Sequence, residues 1–99
     1  MTGSPFTLEG RKILITGASS GIGKAVAKRA SELGAQCVIN GRDETRLNAV
    51  LSELTGEWHE AIAMPLTPEN CQELVIKAAA LAGPLNGFVH CAGIEKTMP

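Results

Sequence analysis

The chain has 99 residues, a formal net charge of −1 at pH 7 and 44% hydrophobic residues, which suits about one small globular domain. Its nine basic residues are scattered, so the clustered positive charge of a nucleic-acid-binding surface is missing. No stretch approaches the roughly 20 apolar residues of a membrane span, and residues 1–10 do not resemble a signal peptide.

The first half of the chain alternates between strand and helix patterns. The apolar run Lys12–Thr16 predicts a buried strand. Apolar residues at helical spacing between Ile22 and Leu33 predict a helix that ends before Gly34. Cys37–Ile39 predicts a second strand, and the spacing of apolar residues between Leu47 and Leu54 predicts a second amphipathic helix.

The second half continues this alternation. Ala61–Met64 is a third strand candidate, although alanine is a poor strand former. A third helix is predicted to begin with Thr67 as the N-cap, Pro68 at the first helical position and Glu69 as an acid in the first turn. It continues to about Leu81. Gly87–His90 predicts a fourth strand.

The resulting order, β-α-β-α-β-α-β, predicts an α/β fold with a parallel sheet between helical layers. We expect a three-layer Rossmann-type doubly wound domain with strand order 3-2-1-4. Four strands form only half of such a sheet, and the fourth would be an apolar edge that proteins normally cover. Residues 1–99 are therefore expected to be an incomplete nucleotide-binding domain, cut from a longer protein before its catalytic half.

A glycine-rich loop, Thr16–Gly23, lies between the first predicted strand and the first predicted helix. Gly17 would allow the turn out of the strand, Gly21 would let a pyrophosphate approach the backbone, and Gly23 would let the helix pack closely. The helix N-terminus would present free N–H groups to the phosphates. The candidate cofactor-binding residues of this loop are Gly17, Ser19, Ser20, Gly21, Ile22 and Gly23.

The loop spacing T-G-x-x-x-G-x-G resembles that of the classical short-chain dehydrogenase/reductase family. The similarity runs from about Phe6 to Ile94 and includes the entry segment Phe6–Lys12 and a degenerate form of the family's N-N-A-G at His90–Gly93. It implies an NAD(P)-dependent oxidoreductase that transfers hydride between the nicotinamide and a small carbonyl or alcohol substrate. A 3-oxoacyl-type reductase is one such member, and a homo-oligomer is the expected assembly.

The end of the second strand carries the residues expected to choose between NADP and NAD. An acid there would bind the adenosine ribose and repel a 2′-phosphate. By the family pattern, Gly41 takes the place of the acid and Arg42 follows, so the resemblance implies NADP. Two alternatives stay open: Arg42 could be a turn residue paired with Asp43 or Glu44, and Asp43 could itself reach a ribose.

Two other family positions depart from the pattern. Pro65 replaces the Asp whose side chain meets the adenine in the family, which leaves the Leu66 backbone N–H as the candidate contact. Cys91 replaces an Asn of N-A-G, while the small Ala92 and Gly93 would leave room for the ribose and nicotinamide.

The residues that would perform the family's chemistry are missing. The resemblance implies a Tyr of Y-x-x-x-K with a Ser and an Asn, and the chain contains no tyrosine. We identify no catalytic residue and expect the 99-residue chain alone to be inactive. Strand alternation turns His90 away from Cys91 and the cofactor, and His59 and His90 are read as structural or surface residues.

Three cysteines without paired spacing argue against a disulfide framework and against a zinc or other metal site, and favour reduced thiols in a cytoplasmic protein. The favoured interpretation is the NADP(H)-binding part of a reductase or dehydrogenase. One alternative is a stand-alone, non-catalytic nucleotide-binding or regulatory module. The other is a fragment that self-associates through its open sheet edge. The sequence leaves the substrate and the direction of reaction open.

Overall fold

The computed structural model describes residues 7–19 and 21–91. Four strands alternate with three helices. In chain order these elements are β1 Lys12–Thr16, α1 Gly21–Glu32, β2 Gln36–Gly41, α2 Glu44–Glu53, β3 Glu60–Ala63, α3 Cys71–Ala82 and β4 Gly87–His90. The predicted first and fourth strands agree with the structure to the residue, and β3 begins and ends one residue earlier than predicted.

The four strands form one parallel sheet in the order β3-β2-β1-β4, which confirms the predicted topology. The parallel pairing of β1 with β4 places Ile15 beside Val89 and Thr16 beside His90. Both strands therefore end at the same edge of the sheet, where the glycine loop leaves β1.

Alternating side chains divide the core between the two faces of the sheet. On one face, Ile15 and Ile39 pack with buried residues of α1 and α2, among them Ala27 and Leu47. On the other face, Leu14 and Val38 pack against Leu74, Ala78 and Ala82 of α3. The sheet is thus covered by two helices on one side and one on the other, as the three-layer prediction required.

The predicted start of the third helix was wrong. Helix α3 begins at Cys71, with Asn70 at the N-cap position, instead of at Pro68. Thr67 and Asn70 exchange two bonds: the Thr67 N–H donates to Asn70 Oδ1, and the Asn70 N–H donates to Thr67 Oγ1. These reciprocal bonds are those of a capping box, and residues 68–70 form a turn that precedes the regular helix.

Two cysteines are buried and one is half-exposed, and none forms a disulfide within the part of the chain described. Burial raises the pKa of the Cys37 thiol to about 11. We expect a maleimide or aromatic disulfide reagent at pH 8 to modify Cys71 well before Cys37, because the thiolate is the reactive form. Mass mapping after short exposure would check this, and a fast phase that survives Cys71→Ser would contradict it.

Within residues 7–19 and 21–91, no helix combines the length and apolar composition needed to cross a bilayer.

Candidate functional site

The glycine loop turns sharply between β1 and α1. Gly17 and Gly21 have φ angles of 66° and 63°, a region that favours glycine. A methyl group on Gly23 would overlap the Gly17 carbonyl oxygen. The sequence predicted close packing at Gly23, and the structure identifies the neighbour as the backbone of the loop itself.

The start of α1 is polarised to receive an anion. The helix begins at Gly21, and its first turn carries no acidic residue that would oppose the positive end of the helix dipole. Ile22 is 49% exposed, so the loop and the first turn are open to solvent there. Of the remaining loop candidates, Ser19 is half-buried and Ser20 lies outside the described residues.

The end of β2 packs directly on this loop. The Ala18 N–H donates to the Asn40 carbonyl oxygen at 2.9 Å. Gly41 is buried, and a Cβ there would lie 3.2 Å from Ser19 Cβ and 3.3 Å from Leu47 Cδ1. An acidic residue at position 41 would therefore press on the glycine loop and would also place a negative charge beside it.

Arg42 extends from this edge into solvent. Among the ion pairs of the described residues, none involves Arg42. Asp43 caps helix α2: its Oδ1 accepts from the Arg46 N–H at 3.1 Å, and its Oδ2 lies 3.7 Å from Arg46 Nε. In this arrangement Asp43 is engaged with Arg46, and the guanidinium of Arg42 remains available to an anion.

The exit of β3 forms the next part of the same edge. The Met64 N–H donates to the Gly41 carbonyl oxygen at 3.0 Å, so this segment continues alongside β2. Leu66 is half-buried, and its side chain packs against the α3-side core. Asn40 and Asn70, which the sequence analysis did not single out, both bond to this segment. Asn40 does so across 24 residues, whereas Asn70 bonds residues three and five positions away.

The end of β4 completes the described edge. His90 Nδ1 lies 2.9 Å from the hydroxyl of buried Thr16, and its ring meets Phe88 edge-on at 6.3 Å. Cys91 packs on the face of the sheet that α1 and α2 cover. Its N–H donates to the Thr16 carbonyl oxygen. His90 and Cys91 thus lie on opposite faces. The candidates Ala92 and Gly93 lie outside the described residues.

His59 is structural, as expected. Its Nδ1 accepts from the buried Cys37 N–H at 3.0 Å, and its Nε2 bonds the Thr55 carbonyl oxygen. It joins the start of β2 to the segment before β3, at the end of the sheet away from the glycine loop. In the described ranges, no three His, Cys, Asp or Glu side chains are grouped to hold a metal ion.

The edge is therefore suited to binding an extended polyanion, with helix N–H groups and one free arginine. The sequence contains no tyrosine, so this edge has none.

Comparison with known proteins points to one family. A family model described as short chain dehydrogenase matches residues 11–99. The chain is 43% identical over 74 residues to the oxidoreductase YvaG of Bacillus subtilis, covering 70% of this chain and 28% of that protein. It is 38% identical over 94 residues to glucose 1-dehydrogenase of Gluconobacter oxydans, covering 91% of this chain and 35% of the relative.

Solved structures agree. A short chain dehydrogenase from Escherichia coli CFT073 aligns with a TM-score of 0.77 and 33% identity, over 90% of this chain and 42% of that one. The chain spans 28% to 39% of the length of the curated relatives considered. Since the family match begins just before β1 and continues through all four strands, this chain belongs to the short-chain dehydrogenase family.

Proposed function

We propose that this chain is the NADP(H)-binding portion of a short-chain dehydrogenase/reductase whose complete form interconverts a carbonyl and an alcohol. The observation that carries the proposal is the exposed Arg42, without an acidic partner among the described residues, directly after Gly41. A guanidinium there can pair with a 2′-phosphate through two N–H groups, and glycine offers no carboxylate to repel it.

The remaining contacts follow from the edge of the sheet. The N–H groups at the start of α1 and the loop residues Ser19 and Ser20 would bind the pyrophosphate. The Leu66 N–H would contact the base, and Ala92 and Gly93 would border the ribose and nicotinamide. The loop and Arg42 would fix the phosphates of the cofactor and thereby its register on the sheet; when bound, it would donate a hydride to the carbonyl as NADPH or accept one from the alcohol as NADP+.

The names of several relatives support a carbonyl/alcohol substrate. Glucose 1-dehydrogenase and gluconate 5-dehydrogenase of Gluconobacter oxydans, and 5-keto-D-gluconate 5-reductase of Escherichia coli, are 38%, 32% and 32% identical to this chain. We infer a small polar substrate of this class for the complete protein. We also propose that it acts in the cytoplasm, in keeping with cysteines that form no disulfide among the described residues. The proton donor is proposed to come from residues outside this chain, because its sequence contains no tyrosine.

Arg42→Ala tests the choice of nucleotide. Adenosine 2′,5′-bisphosphate and adenosine 5′-monophosphate are suitable probes, because they require only the adenosine half of the site. We expect the variant to weaken the bisphosphate by roughly 1.5–3 kcal/mol, or about 10- to 150-fold, and to leave the monophosphate nearly unchanged. Isothermal titration calorimetry at low ionic strength would measure both affinities.

Arg46→Ala is the matched control, since it removes the same charge from an exposed position one turn further along, beside Asp43. It should change the two affinities by similar small amounts. If Arg42→Ala weakens both ligands equally, Arg42 does not read the 2′-phosphate and the NADP proposal fails.

A further inference from the structure

An open cavity of about 260 Å³ lies at the end of the sheet opposite the glycine loop. It is formed by the turn of residues 8–11, the starts of β1 and β2, and Trp58 from the segment before β3. We call it the Trp58 cavity. Pockets for small molecules begin at roughly 300 Å³, so this volume suits one small molecule with a single ring.

Trp58 forms one wall of the cavity and is held in a fixed position. A Cβ on Gly56 would lie 3.0 Å from two atoms of the indole, Cη2 and Cζ2, and the ring centroid of buried His59 lies 5.7 Å from that of Trp58. Trp58 is nevertheless 52% exposed. A positioned indole that is open to solvent offers a flat apolar surface on which another ring can stack.

The turn of residues 8–11 forms another wall and is fixed to the body of the domain. The Arg11 N–H donates to the Leu8 carbonyl oxygen at 2.9 Å, and Gly10 between them has a φ of 81°, as a type II turn requires. The Leu8 N–H donates to the Leu33 carbonyl oxygen, just after α1, at 2.8 Å. The backbone that carries Glu9 and Arg11 is therefore held in place.

The cavity is lined by two opposite charges that are not paired. Glu9 and Arg11 are exposed, and neither takes part in an ion pair among the described residues. Lys12 also lines the cavity, but its Nζ lies 2.8 Å from the position of a Cβ on Gly83, beyond the end of α3. Arg11 therefore supplies the positive charge, and the half-buried Gln36 adds an amide that can donate and accept.

These charges restrict the kind of ligand that fits. A simple anion would be repelled by Glu9, and a simple cation would be repelled by Arg11. A neutral ring stacked on Trp58 would take water from both charges without replacing it. A ligand that carries a negative group, a neighbouring positive group and a flat ring would satisfy all three side chains.

We propose that the Trp58 cavity binds a small aromatic zwitterion of the aromatic amino-acid class, with its carboxylate on Arg11, its ammonium on Glu9 and its ring on Trp58. This site goes beyond the proposed function and does not depend on it, because the glycine loop lies at the other end of the strands.

The fluorescence of Trp58 reports binding directly, because it is the only tryptophan in the sequence. The probe is L-phenylalanine, and three analogues each lack one feature: 3-phenylpropanoate the ammonium, 2-phenylethylamine the carboxylate and L-alanine the ring. L-Phenylalanine should change the fluorescence in a saturable way, with a Kd of about 1 mM or tighter. Each analogue should bind about 10-fold or more weakly than L-phenylalanine.

Two charge-removing variants test the assignment of each group. Arg11→Gln should weaken L-phenylalanine about 10-fold but leave 2-phenylethylamine unchanged or tighter, because the amine has no carboxylate to lose a partner. Glu9→Gln should weaken L-phenylalanine similarly and leave 3-phenylpropanoate unchanged or tighter. The matched controls are Arg46→Gln and Glu44→Gln, which make the same exchanges at exposed positions of α2 and should leave every affinity unchanged.

Several results would overturn the site. One is the lack of a saturable fluorescence change with L-phenylalanine up to about 10 mM. Another is an analogue with one charge that binds as tightly as L-phenylalanine, and a third is L-phenylalanine binding that survives both Arg11→Gln and Glu9→Gln. Displacement of L-phenylalanine by adenosine 2′,5′-bisphosphate would also contradict it. If the bisphosphate fails to bind while L-phenylalanine binds as expected, the proposed function fails and this site stands.

Discussion

Gly23→Ala should prevent the glycine loop from adopting its structure and should destabilise the domain by about 3 kcal/mol or more. The added methyl group would overlap the carbonyl oxygen and carbon of Gly17, which are backbone atoms that no side-chain rotation can move away. Relief would require α1 to shift from β1, and the core formed by Ala27 and Ile15 would loosen with it. Urea unfolding followed by circular dichroism would measure the loss, and nucleotide titration should show no binding.

Gly87→Ala is the control for this experiment. A Cβ at Gly87 would meet only Ile13 side-chain atoms at 3.6 and 3.8 Å, which is ordinary van der Waals contact. This variant should stay within about 1 kcal/mol of the natural chain. Equal stabilities for the two variants would mean that α1 does not approach the Gly17 backbone this closely.

His59→Ala should cost about 2–4 kcal/mol, although His59 lies far from the glycine loop along the strands. The substitution leaves the buried Cys37 N–H without its acceptor and the Thr55 carbonyl without its donor, and it opens a cavity where the ring was. The bonding pattern requires a neutral ring with its proton on Nε2, because Nδ1 must accept. The free energy of unfolding in urea is the appropriate measurement.

His59→Gln offers a partial rescue, since an amide can accept with its oxygen and donate with its nitrogen. We expect it to recover part of the stability lost in His59→Ala. Glu57→Ala, at a neighbouring exposed position, should change stability by no more than about 0.5 kcal/mol. A His59→Ala variant as stable as Glu57→Ala would show that the ring only fills space at the surface.

The order of elements was predictable from the sequence because it depends on local spacing. Apolar residues repeat at strand and helix periods between Lys12 and His90, and strand-helix alternation with short links leaves few parallel topologies. The glycine loop was predictable for the same reason, since its three glycines are close in sequence: Gly17 and Gly21 adopt positive φ angles, and Gly23 leaves room for the loop backbone. These patterns, with the family resemblance they carry, specified the fold and the edge at which the cofactor is proposed to bind.

Only the tertiary structure decided which distant residues tie the two ends of the sheet together. Asn40 bonds residues 22 and 24 positions away, and His59 bonds a residue 22 positions away, so no short-range pattern marks either side chain. The start of α3 was predicted three residues too early: Thr67 and Asn70 make the reciprocal bonds of a capping box, but the residues between them form a turn and the regular helix begins at Cys71. Periodicity reports which face of an element is buried, whereas the partner of a buried polar group is fixed only when distant segments pack together.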